Sequence, residues 1–216
     1  MVAVKFWFQT ATSCLACLLG IAVLAASAPP GLSASADLQH RLQQLDGVIA
    51  AFDQQITNNQ GYLIEEAQGT LYLAKPRFRW DVREPFPQII IADGDLIQIY
   101  DPDLEQVTQR KIEGSLDQAP LALLTRSSLA LESHFTVAFI VNEPGFTRFV
   151  LTPISPDALF TRMEMVFHGE MLSAMSIFDH TGQQTLIRFA DYLTHQVIQS
   201  SVFELEFPPG TDFVRG

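Results

Sequence analysis

The chain is poor in cysteine, in cations and in the residue patterns that carry catalysis. Its two cysteines, Cys14 and Cys17, lie in an apolar N-terminal segment. Without that segment no disulfide is available, and stability must come from the core. Neither cysteine has a leucine three positions before it, which argues against lipid attachment. Basic residues number 13 against 24 acidic ones. An excess of that sign argues against nucleic acid and against electrostatic adhesion to an anionic membrane. There is no G-x-S-x-G nucleophile elbow and no Cys-His pairing outside the leader. The five histidines, His40, His134, His168, His180 and His195, show no i,i+4 metal spacing. Asp101-Pro102-Asp103-Leu104-Glu105 supplies oxygens but lacks the length and glycine of a calcium loop. Together with Glu65-Glu66, it reads as a solvated turn. No glycine-rich phosphate loop, internal repeat, low-complexity tract or composition shift is present.

What is present begins with an export signal. Lys5 gives a short positive start, Phe6–Ala26 is almost wholly apolar, and Ala34-Ser35-Ala36 has the small-x-small form of a signal-peptidase site. Ala28 offers a competing cut, weakened by Pro29 after it. An uncleaved anchor is the alternative, since the apolar run is long enough to span a bilayer. Residues 1–36 are therefore assigned as a cleaved leader and 37–216 as one domain. Losing Lys5 with the leader takes the net charge from −11 to −12.

Leu38, Leu42, Leu45, Ile49 and Phe52 recur at alternating steps of four and three, which predicts a helix over Asp37–Phe52. Short strands follow at Asp53–Thr57, Tyr62–Leu73, Phe78–Arg83, Gln88–Ala92, Leu96–Tyr100 and Gln106–Lys111. Turn residues separate them at Lys75-Pro76, Asp93-Gly94 and Asp101-Pro102. Phe78-Arg79-Trp80-Asp81-Val82-Arg83 alternates apolar and charged residues without a break, as a strand with one wet face does. Asp93-Gly94 between two apolar runs is a strong hairpin signal. Gly114–Glu132 breaks the rhythm, with a short helix at Gln118–Leu124 and a helical turn at Ser127–Glu132. Strands resume at Phe135–Val141, Thr147–Thr152, Arg162–Phe167, Met171–Phe178, Thr185–Ala190 and Phe203–Phe207, with a short helix at Ser155–Phe160. The fold class is mostly β with helices (α+β): a curved antiparallel sheet of about eleven strands, closed on its open side by helices. The helices offer too little surface to cover the aromatic face, which leaves room for an apolar cavity.

Lys75-Pro76-x-Phe78-Arg79-Trp80, the Asp93-Gly94 hairpin and Tyr100-Asp-Pro-Asp-Leu-Glu-Gln-Val-Thr108 resemble the periplasmic outer-membrane lipoprotein carrier family. So do Phe52-x-Gln54, Pro120-Leu-Ala-Leu-Leu124 and Phe203-x-Leu-x-Phe-Pro-Pro-Gly210. The resemblance implies an unclosed β-barrel with a helical lid over an apolar cavity. It implies a periplasmic, monomeric, non-enzymatic chaperone without a cofactor or metal and without stable membrane insertion. Its partners would be the acyl chains of lipoproteins, the inner-membrane ABC transporter that releases them, and an outer-membrane acceptor. Acyl-binding residues assigned on this basis are Leu42, Leu45, Val48 and Phe52 from the helix and Tyr72, Phe78, Trp80, Ile91 and Tyr100 from strands. Leu121, Leu123 and Leu124 are assigned from the lid. The family carries an arginine latch just before the motif's proline. Here Lys75 stands in its place, a point charge instead of a planar fork, with Arg77 or Arg79 as possible substitutes. Lys75 as a plain turn residue stays open. So do an acceptor or a lipoprotein sensor of the same fold, and an exported lipid hydrolase using Ser115 or Ser173.

Overall fold

The computed structural model describes residues 33–93, 96–111, 123–125 and 130–215, with backbone alone at 141–143. Helix α1 (Ala34–Gln44) opens with Ser33, whose Oγ accepts a hydrogen bond from the Ala36 N–H at 3.2 Å. Asp37 lies in the first turn, where a negative charge suits the helix N-terminus. The helix predicted to reach Phe52 therefore stops eight residues early. Asp46-Gly47 is the stop signal. Gly47 adopts a φ of 60°, and Asp46 Oδ1 accepts from the N–H groups of Gly47 and Lys75 at 3.0 and 2.9 Å. From Val48 the burial period changes to two, with Val48, Ala50 and Phe52 buried. The four-and-three spacing had carried Ile49 and Phe52 into the helix although they belong to a strand.

Twelve strands form one sheet. They are β1 (Val48–Thr57), β2 (Leu63–Ala74), β3 (Arg77–Glu84), β4 (Gln88–Asp93), β5 (Leu96–Asp101), β6 (Gln106–Lys111), β7 (Phe135–Glu143), β8 (Phe146–Pro153), β9 (Phe160–His168), β10 (Met171–Asp179), β11 (Gln184–Leu193) and β12 (Asp212–Arg215). Their order is β12-β6-β5-β4-β3-β2-β1-β11-β10-β9-β8-β7, so the two end strands do not meet and the barrel stays open. Neighbours are antiparallel except β12 and β6, which pair in parallel. The hairpin forms as the sequence indicates, with Asp93 opposite Leu96.

Two further expectations are corrected. Ser155–Phe160 is a turn rather than a helix, with Ser155 Oγ accepting from Asp157 N–H at 3.2 Å and Phe160 already in β9. Phe203–Phe207 is not a strand: a 3-10 turn spans Ser200–Phe203, and the chain then runs outside the ladder to a turn at Pro209-Gly210 before β12. Phe207 packs edge-on against Tyr100 and Phe213 instead. Of the mid-chain helices, Leu123 and Leu124 are described, in a 3-10 turn and buried in the main core. A second 3-10 turn covers Leu131–Ser133.

Candidate functional site

Cross-strand register assigns each side chain to a face. Val48, Leu73, Phe78, Ala92 and Ile97 face one another in one row across β1 to β5, and Ala50, Leu71, Trp80, Ile90 and Ile99 in the next. Side chains directly opposite on neighbouring strands share a face, so these rows form one apolar concave wall. Phe52 continues it, opposite Gly69 and then Val82. The Phe52 ring stacks on the Trp80 indole at 3.7 Å between centroids and 19° between planes. Phe189 of β11 meets Trp80 edge-on at 6.2 Å.

Gly69 makes that stack possible. A Cβ there would lie 2.5 Å from Phe52 Cζ and 2.0 Å from the Asp81 carbonyl oxygen, so only a residue without a side chain lets the ring lie flat on the strand. Reasoning from the sequence passed over this glycine. Its signal was an isolated glycine inside a strand pattern, which marks a close approach.

Helix α1 packs beside β7 and the Leu131–Ser133 turn, and its Leu38 and Leu42, with Leu45 just after it, are buried in the same core as this wall. Two cations fasten its sides. Lys75, in the β2–β3 turn, donates from Nζ to the Leu42 carbonyl and, at 3.4 Å, to the Gln43 carbonyl. These carbonyls lie in the last turn of the helix, where a positive charge is favoured, and that of Leu42 also accepts from the Leu45 N–H at 3.2 Å. Burial holds the Lys75 ammonium below the ordinary lysine value, and Asp46 partly restores it. On the other side Arg41 donates to the Gly169 carbonyl in the β9–β10 turn. Its guanidinium lies 5.6 Å from the Phe167 ring centre and 5.8 Å from that of Phe149, and pairs with Asp37 at 3.1 Å.

The structure brings together Leu42, Leu45, Val48, Phe52, Phe78, Trp80, Leu123 and Leu124 in this one core. Leu121 lies outside the described residues. Tyr72, Ile91 and Tyr100 are corrected: register puts Tyr72, Arg79, Ile91 and Gln98 in one row on the opposite face, and Ile89 with Tyr100 in the next. The C-terminal segment covers that face. Arg77 is corrected with them, since its guanidinium stacks 4.7 Å over Phe203. Arg79 donates to the Val202 carbonyl at 3.0 Å and pairs with Asp81 at 2.8 Å. Lys75 alone of the proposed latch residues reaches the helix.

In this state the concave wall is filled by its own side chains. A polar groove of about 370 Å³ borders it at Lys75, Asp46, Gly47 and Gln196. A larger one, about 610 Å³, lies away from Trp80, along Leu63–Gln68 with Glu84 and Pro85.

A family model described as "Outer membrane lipoprotein carrier protein LolA" matches residues 43–206. The outer-membrane lipoprotein carrier protein of Chromohalobacter salexigens is 38% identical over 175 residues, covering 81% of this chain and 83% of its own. That of Hahella chejuensis is 33% identical over 201 residues, covering 92% and 96%. The crystal structure of an uncharacterized conserved protein from Thermus thermophilus matches with a TM-score of 0.53 at 11% identity, over 85% of this chain and 100% of that one. That last likeness is one of fold alone.

Proposed function

The chain belongs to the outer-membrane lipoprotein carrier protein (LolA) family, and from that premise we propose that it carries lipoproteins through the periplasm by their acyl chains. It is a periplasmic lipoprotein chaperone. It takes cargo from an inner-membrane ABC transporter and yields it to an outer-membrane acceptor. It acts by binding and not by bond chemistry. The observation that carries this reading is the apolar wall around Trp80, which shares one core with the leucines of α1.

Magnitudes support the exchange. Each acyl CH₂ left in water costs about 0.8 kcal/mol, so a multiply acylated protein faces a barrier of tens of kcal/mol without a carrier. Lifting three buried leucines out of that core costs roughly 5–8 kcal/mol. About ten CH₂ groups entering in their place offset that cost. Each further CH₂ strengthens the hold on cargo, and the cost of opening lowers that hold, which helps a protein that must give its cargo away.

The leader is removed on export in this reading. A cut after Ala36 would take away Ser33 and the first turn of α1, whereas a cut after Ala28 keeps the cap. The cap favours the earlier cut, and the N-terminal residue of the exported protein decides between them.

The functional test adds purified exported chain to spheroplasts depleted of their own carrier. The expected outcome is soluble lipoprotein in a one-to-one complex that then passes to acceptor-bearing membranes. A folded protein that releases nothing would overturn the carrier reading.

A further inference from the structure

Strand β2 has twelve residues, Leu63–Ala74. It pairs with β1 along its length, but with β3 only over Gln68–Ala74. Beyond Glu84 the chain turns away through Pro85, so among the described residues Leu63–Ala67 show one unpaired edge. About five residues of free edge span roughly 17 Å, the length of an ordinary strand. The side chains around it are apolar and exposed: Tyr62 67%, Leu63 52%, Ile64 57% and, next after Pro85, Phe86 73%. The groove that runs along this edge is lined by Leu63 to Gln68, Glu84 and Pro85. Three of those eight residues are glutamates and none is basic.

An unpaired apolar edge is a template for strand addition, and the charges select what can be added. A second copy in antiparallel register would set Glu65 and Glu66 against their own counterparts, and like charges across a ladder repel. The net charge of −11 adds to that repulsion and equally disfavours an anionic lipid surface. We propose that Leu63–Ala67 is a docking edge for an extended segment of a protein partner in which two adjacent apolar residues neighbour two adjacent basic ones, so that each face of the added strand sets one apolar and one basic side chain against β2. Its basic residues pair with Glu65, Glu66 and Glu84, and its apolar ones cover Leu63, Ile64 and Phe86. The glutamates would then have two effects: they keep copies of the carrier apart and admit a basic partner.

This surface lies apart from Trp80, and its test needs no cargo, so its result is independent of the carrier reading. The exported chain, labelled with ¹⁵N, is titrated with a capped peptide of repeating lysine-lysine-valine-valine. It is also titrated with the same peptide N-methylated at alternate amides, which keeps the charge but cannot extend a ladder. The expected result is amide shifts and slowed hydrogen exchange at Leu63–Ala67 with the first peptide alone. Glu65→Lys with Glu66→Lys should weaken binding about tenfold and transfer the preference to a glutamate-valine peptide. Glu84→Lys, outside β2, repeats the test should the double variant fold poorly. Equal binding of the methylated peptide, shifts spread over other acidic surfaces, or affinity indifferent to all three substitutions would overturn the proposal. So would self-association through this edge in sedimentation.

Discussion

Replacing Lys75 by leucine tests the link between α1 and cargo exchange most directly. The substitution removes the ammonium from the Leu42 and Gln43 carbonyls and leaves Leu38 and Leu42 of α1, and Leu45 after it, in place. A hydrogen bond to a charged donor contributes about 1.5–3 kcal/mol, and a cation at a helix C-terminus about 0.3–1 kcal/mol. The ammonium is partly desolvated, which depresses its pKa and offsets part of that gain. A net loss of about 1–2 kcal/mol follows, small beside the roughly 5–8 kcal/mol of leucine burial. Lys75 therefore biases the helix and does not fasten it alone. Opening becomes easier, so acyl ligands should bind about tenfold tighter and pass more slowly to the acceptor. Trp80 is the one tryptophan beyond the leader, so its fluorescence reports occupancy of the wall in a titration with a lysophospholipid. Amide exchange over residues 38–45 should quicken in the empty protein, and Lys75→Arg should restore both properties. Unchanged exchange in α1 together with unchanged transfer would remove Lys75 from the mechanism.

Gly69→Ala should cost about 1–3 kcal/mol, read as a lower denaturant midpoint, because its Cβ meets Phe52 and the Asp81 carbonyl; Trp80 emission should shift as the stack parts, and native emission would contradict the close approach. Arg41→Met keeps the aliphatic stem but loses the Gly169 hydrogen bond and the cation–π contacts. It should destabilise the fold by about 1–2 kcal/mol and quicken exchange at the start of α1, while exchange in β4 and β5 stays as before. Burial raises Tyr192 above the ordinary tyrosine value. The folded chain then holds its phenolic proton where the unfolded chain has lost it, so stability falls as pH rises above about 10. Tyr192→Phe should flatten that alkaline limb in urea melts taken from pH 9 to 11, and an unaltered limb would assign the loss to other groups.

Period-two patterns, the Asp93-Gly94 hairpin and the Lys75-Pro76 turn made the curved antiparallel sheet legible without coordinates, and the resemblance to the carrier family implied its open barrel. The shared face of Phe78 and Trp80 was legible as well, because alternation put both on one side of their strand, whereas Phe52 was read as part of a helical stripe. Local spacing misled where two periods coincide. Leu45 to Phe52 satisfies a helical stripe, and the strand won because Asp46-Gly47 breaks the helix and Val48 enters the ladder beside Leu73.

The sequence by itself determined that this is an acidic chain whose alternating strands must bury an aromatic face. It could not say which of two apolar faces looks inward. Tyr72, Ile91 and Tyr100 alternate out of phase with Phe78 and Trp80, and either set satisfies a buried strand. The tertiary structure decided it by laying Phe203 and Phe207 over one face and burying the other in one core with the leucines of α1. Tertiary structure likewise brought the Lys75 ammonium to the end of α1 and ended β3 before it could cover β2. Both depend on contacts between segments far apart in the chain, and local pattern carries no information about such contacts.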